Sequence, residues 1–158
     1  MLKSCSSGWY LLSLRAIIKG MDEHAFIRNL HSKLPPDIYK WKIHDVYAGG
    51  VPDAYYSGPK GHCWVEYKYV PKLPAKPTTC VVKRQAVTQL QKKWLNTASE
   101  HGQHAFLIIG AEDKVVILSR GEWDKDITKE YFDDNALPIK AVIRWIESIC
   151  TTGHPATL

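Results

Sequence analysis

Apolar positions along the chain fall into runs whose period changes several times. Between Asp22 and Leu34, Phe26, Ile27, Leu30 and Leu34 recur at helical spacing, and Pro35-Pro36 ends the run. Three strand-like segments follow. Tyr39–Tyr47 is rich in aromatic and β-branched residues, Val51–Ser57 is set off by Gly49-Gly50, and His62–Val70 by the turn signal Gly58-Pro59-Lys60-Gly61. A proline-dotted basic loop, Pro71–Thr79, comes before a second helix, expected from Gln89 to about His101. Thr88 is its N-cap, Gln91 holds the capping-box position and Gly102 ends it. Ala105–Ile109 is a continuous apolar run, the pattern of a strand covered on both faces, and Val115–Leu118 follows across a polar turn. Gly121–Asp134 is acidic and aromatic, without a readable period. Pro138–Cys150 predicts a closing helix, with Pro138 in its first turn and Ile139, Val142, Ile146 and Ile149 as its buried stripe. The order αβββαββα predicts an α/β domain with a mixed sheet.

Composition narrows this further. The 158 residues, 45% apolar and 23% charged, suit one globular domain and exclude a disordered or fibrous chain. Met1–Gly20 carries only a short apolar stretch, Trp9–Leu14, between Lys3 and Arg15, and lacks the pattern of a signal peptide. It is read as an appendage to a single domain spanning 21–158. No apolar run approaches the ~18 residues of a membrane span, so no membrane partner is expected. Cys5, Cys63, Cys80 and Cys150 are scattered with no C-x-x-C pair, which fits a reducing, cytoplasmic compartment rather than a zinc site. There is no P-loop, no Rossmann glycine fingerprint and no G-x-S-x-G elbow, so no nucleotide cofactor is expected. The formal charge of +5 suits a polyanionic partner but argues for one only weakly.

The candidate chemistry lies on the second and third strands. If the Gly58–Gly61 turn sets Ser57 opposite His62, Asp53 falls opposite Glu66, and alternation puts Lys68 on the same face. Two carboxylates and an ammonium then converge. Adjacent carboxylates repel, and Mg²⁺, which takes oxygen ligands from one or two carboxylates plus water and phosphate, relieves the repulsion. An ordinary solvated charge ladder is the competing account of each residue taken singly. A β-bulge would shift the register by one residue.

Val51-Pro52-Asp53, a gap of twelve residues, and Glu66-Tyr67-Lys68 resemble the signature of the PD-(D/E)XK nuclease superfamily. Thr88, Gln91, Trp94 and Leu95, then Gly102 and Phe106–Gly110, resemble its VRR-NUC-like and phage-type members. The resemblance covers Asp22 to Gly110 and implies a restriction-endonuclease-like core, αβββαβ, with a mixed central sheet flanked by helices. The loop Pro71–Lys83 departs from the pattern. The resemblance further implies a Mg²⁺-dependent endonuclease acting on DNA, with Mn²⁺ as a substitute. Asp53, Glu66 and the Tyr67 carbonyl would hold the metal, and Lys68 would position the attacking water. It also suggests a phage or mobile-element protein working in the host cytoplasm, selective for branched or flap DNA and acting as a homodimer.

Some residues carry two readings. Glu23 lies at the centre of the first helix's apolar stripe, where a carboxylate needs a partner or a metal, yet it also sits in the first turn, favoured by the helix dipole. The resemblance tips it toward the metal. Gln91 either completes the capping box or bonds near the catalytic centre, and the two roles compete for one side chain. Lys72, Lys76, Arg84 and Lys92 are candidate phosphate contacts, against a default of solvated surface charge. Trp64 is a core or rim residue or a platform for a splayed base. The rival to the nuclease is a catalytically silent nucleic-acid-binding domain of the same fold. A third reading is an interaction protein with an accidental motif.

Overall fold

The computed structural model describes residues 21–158; the readings made for residues 1–20, including Cys5, lie outside the described residues. Helix α1 (Glu23–Lys33) is capped by Asp22, whose carboxylate accepts the Ala25 N–H at 2.7 Å. Strands β1 (Tyr39–Lys42), β2 (Ala54–Ser57) and β3 (His62–Val70) form an antiparallel meander. The 58–61 turn is closed by a Gly58 N–H to Gly61 carbonyl bond and sets Ser57 opposite His62, as the turn signal predicts. Next come β4 (Cys80–Val82), a 3₁₀ turn (Arg84–Ala86), α2 (Gln89–Glu100), β5 (His104–Ala111) and β6 (Lys114–Leu118). The chain ends with β7 (Ile127–Thr128), α3 (Lys129–Asn135), β8 (Leu137–Pro138) and α4 (Ile139–Thr152).

The main sheet has six strands in the order β1-β2-β3-β5-β6-β8, parallel only between β3 and β5. It is therefore mixed and flanked by helices, with α, three β, α and β in the expected sequence. One core joins α1 and α4 to one face through Phe26, Ile27, Leu30, Tyr67, Ile108 and Ile146. The other joins α2, α3 and the small β4–β7 sheet to the opposite face through Leu95, Leu107, Ile109, Trp123, Ile127 and Phe132. β5 is buried from Ala105 to Ala111, which accounts for its unbroken apolar run. The Phe26 ring closes on Gly110, where a Cβ would meet it at 2.5 Å, and stacks on Tyr69 at 5.0 Å. These contacts fix α1, and with it Glu23, against the end of β3.

Four expectations need correction. The first strand ends at Lys42, because Asp45 takes the Tyr47 and Ala48 N–H groups on its own carboxylate and turns the chain out of the ladder. The second begins at Ala54, two residues after Pro52, which has no N–H to donate. Pro138 caps α4 rather than opening it. The 121–134 segment, and the end of the basic loop, hold short elements: β4 pairs with β7, and α3 follows directly.

Candidate active site

Asp53 stands just before β2, in the register position facing Glu66 on β3. Its carbonyl accepts the Ile43 N–H, and its Oδ2 accepts the Tyr67 N–H at 2.8 Å, so the side chain is bound to the β3 main chain between Glu66 and Lys68. Glu66 is wholly buried. Its Oε1 accepts from the Lys68 ammonium at 2.7 Å and from the Gln91 amide nitrogen at 2.5 Å, while Oε2 is buried without a partner. Burial, then the Asp53 charge, push the Glu66 carboxyl up to about 7 against the opposing pull of Lys68. Burial alone would lower Lys68, but Glu66, Glu23 and Asp53 outweigh it and hold its ammonium above the ordinary value.

Glu23, half-buried in the first turn of α1, lies near enough to feel the charges of Lys68 and Asp53. Burial raises its pKa, Lys68 draws it down and Asp53 raises it, with burial the largest of the three. It sits in the first turn of the helix, where the dipole favours a carboxylate. For Gln91 the expected competition does not arise. Its amide oxygen accepts the Thr88 N–H at 2.8 Å to complete the capping box, and its amide nitrogen serves Glu66. The Tyr67 side chain points to the opposite face, where its hydroxyl meets that of Tyr56 at 2.7 Å, and Tyr56 in turn meets His31 Nε2 at 2.7 Å.

The basic residues separate into two groups. Lys72, Lys76 and Arg84 are exposed. Lys92 is buried to 6% exposure and its ammonium pairs with Asp124 at 2.8 Å, so its charge is already engaged.

The donor set is one of hard oxygens. A buried carboxylate oxygen without a hydrogen-bond partner is costly unless something positive completes it. Asp53 and Glu66, with the Tyr67 main chain between them, suit a Mg²⁺-like ion that retains several waters. Among the described residues no group of three His, Cys, Asp or Glu side chains is arranged to hold a metal ion by itself. Missed from sequence were the Tyr67–Tyr56–His31 chain and the grouping of Trp41, Tyr55 and Trp94 with Trp64 in an aromatic row beside the cluster. Period-two alternation on β2 and β3 carried the signal for the Tyr55–Trp64 pair.

No protein-family profile matches the chain, and no curated protein matches it. Among solved structures, it is similar to Hjc, a Holliday junction resolvase from the archaeal hyperthermophile Archaeoglobus fulgidus. The identity is 16% and the TM-score 0.48, over 75% of this chain and 98% of that one.

Proposed function

We propose that the protein is a Mg²⁺-dependent endonuclease that hydrolyses phosphodiester bonds in DNA, selective for branched or flap structures. The observation that carries the reading is the joining of Asp53, Glu66 and Lys68 on one patch, with a buried Glu66 oxygen left without a partner. Asp53, Glu66 and the Tyr67 carbonyl would hold the ion, with Glu23 acting on its waters. When bound, Mg²⁺ or Mn²⁺ supplies a lowered pKa for water and charge to offset the phosphate.

The chain's own residues do the rest. Lys68, kept protonated by three carboxylates, presents an N–H to a phosphate oxygen or to the attacking water. Gln91 fixes the Glu66 rotamer, and α2 brings the positive end of its dipole to the same place. Water's oxygen joins phosphorus as the bond to one flanking nucleotide breaks, leaving a phosphate monoester and a hydroxyl. Exposed Lys72, Lys76 and Arg84 supply phosphate contacts, which fix position without reading sequence. Cutting two strands symmetrically at a branch takes two such sites, so a homodimer belongs to the same reading.

The test uses supercoiled plasmid and a synthetic four-way junction, with Mg²⁺ and with EDTA, for the wild type, Asp53→Ala and Lys68→Ala. Metal-dependent cutting lost in both variants, with the junction cut faster than linear duplex, is expected. Binding to both DNAs without cutting under any metal would leave a silent binding domain. No binding and no cutting would sink the reading.

A further inference from the structure

One face of the sheet carries a row of aromatic rings that starts at the margin of the second core, where Trp64 and Trp94 are partly buried, and runs out to exposed rings. Trp41 on β1 faces Tyr55 on β2, which faces Trp64 on β3, and Trp94 of α2 continues the row. Ring centroids are 4.5 Å apart for Tyr55–Trp64 and 4.7 Å for Trp64–Trp94. The Trp64 indole is held by an N–H bond to the Gln103 side chain at 2.8 Å. The row is the next register step from Asp53 and Glu66: the Tyr55–Trp64 pair lies two residues along the same strands, about 7 Å away.

A built loop borders the row. Asp45 folds residues 45–48 around its own carboxylate. The return, Gly49-Gly50, packs against Leu90, one residue before the Gln91 that bonds Glu66. Anchored at both ends, the loop holds Tyr47 98% and Val46 72% exposed, and Trp41 is 47% exposed. Tyr47 and Trp41 line a cleft of about 270 Å³ floored by Trp64. A second cleft, of about 460 Å³, opens beyond Trp94 beside Lys93 and His101. Among the described residues the one carboxylate lining the two clefts is Asp45, whose Oδ1 accepts the loop's own Tyr47 and Ala48 N–H groups.

We propose that this face stacks the unpaired bases of a DNA strand whose backbone is delivered to Asp53, Glu66 and Lys68. Exposed rings accept any base face, and the Lys93 ammonium on the rim of the second cleft offers a phosphate contact. A sheet face used for a second copy of the chain would have no need of ring geometry matched to the site's register. The inference rests on the nuclease reading for the strand that arrives there, and makes the substrate one with single-stranded character at a branch or end.

The test measures binding, not cutting. Fluorescence anisotropy of a labelled oligo(dT) and of a blunt hairpin duplex, its two strands joined by a non-nucleotide linker so that no base is unpaired, is followed in EDTA, so that neither is cleaved. Oligo(dT) should bind more tightly than the hairpin. Trp41→Ala and Tyr47→Ala, both at exposed rings, should each weaken oligo(dT) about 5- to 100-fold and leave the hairpin unchanged, while Trp41→Phe retains most of the affinity. Equal weakening for both DNAs, or no weakening, overturns the proposal. So does a fall from dimer to monomer in sedimentation with oligo(dT) affinity intact, which gives the face to a second copy. If the nuclease reading alone fails, oligo(dT) binding and its loss in Trp41→Ala persist without any cutting. If the stacking alone fails, cutting persists and Trp41→Ala has no effect on oligo(dT).

Discussion

Gln91 holds Glu66 through its amide nitrogen, at 2.5 Å, while its amide oxygen closes the cap of the helix that carries it. The start of α2 and the buried carboxylate are thus one unit. Gln91→Glu keeps the cap's acceptor and turns the donor facing Glu66 into a second carboxylate. Its repulsion should raise the Glu66 pKa further and cut activity about 10- to 100-fold, in the range expected when a partner of a metal-holding side chain is lost. Thr88→Ala removes only the hydroxyl side of the cap and should lower stability by about 1 kcal/mol with a smaller effect on rate. Plasmid nicking rates beside urea midpoints separate the two. Equal loss of rate in both variants would mean that Gln91 acts only as a cap.

Glu66 is a source of instability in the metal-free protein. Its folded pKa of about 7 lies above the ordinary 4.5, so the folded chain keeps a proton that the unfolded chain releases. Stability is therefore full below 4.5 and is lost as pH rises through about 7. Glu66→Gln, which mimics the protonated form, should stabilise the protein at mildly alkaline pH in EDTA by on the order of 1–3 kcal/mol, a rise of a few degrees in Tm. Lys68's attraction is already contained in that raised value, so its weakening does not reverse the sign. Mg²⁺ should raise the wild-type Tm and leave the Glu66→Gln variant where it is. A variant less stable than wild type in EDTA would refute the account.

What could be read from the chain follows physical scale. The Gly58–Gly61 turn is short, so it fixes the register of β2 against β3, and the sequence alone sets Asp53 opposite Glu66. Phe26, Ile27 and Leu30 outline α1 because an eleven-residue helix shows three turns of period. The three residues of β4 and two of β7 show none, and their pairing joins Cys80 to Thr128, far apart along the chain. The engagement of Lys92 was hidden for a similar reason: Asp124 lies in the segment without a readable period. The dual service of Gln91 was missed because an amide was treated as one group, although its oxygen and nitrogen face different partners.

His31 gives the opposite pH dependence, on the far side of the sheet. Burial, then the Lys40 and Lys42 charges, push its pKa from 6.5 down to about 4. The unfolded chain takes up a proton that the folded ring refuses, so stability is full above 6.5 and falls as pH drops toward 4. With the ring only partly buried, the loss attributable to it should be about 1–2 kcal/mol after allowance for solvent screening. Urea midpoints of wild type and His31→Asn, compared between neutral and acid pH, isolate this contribution. Parallel pH curves would remove His31 as the titrating group.

The loop that carries Tyr47 depends on a glycine for two separate reasons, and a pair of substitutions tells them apart. Gly50 has φ +88° and lies so close to Leu90 that a Cβ would meet that residue's carbonyl carbon at 2.5 Å. Gly102, at the end of α2, has φ +75° and nothing within 4 Å of the same position. Gly102→Ala should cost only the left-handed backbone term, about 1 kcal/mol. Gly50→Ala adds a contact with main chain, which cannot swing aside, and should cost about 2–4 kcal/mol or lift the loop from α2. Lifting would loosen the turn that carries Gln91, so Gly50→Ala should slow DNA cutting and Gly102→Ala should not. Urea midpoints and nicking rates of the two variants measure both effects, and equal costs would mean that the approach of Gly50 to Leu90 does not constrain the loop.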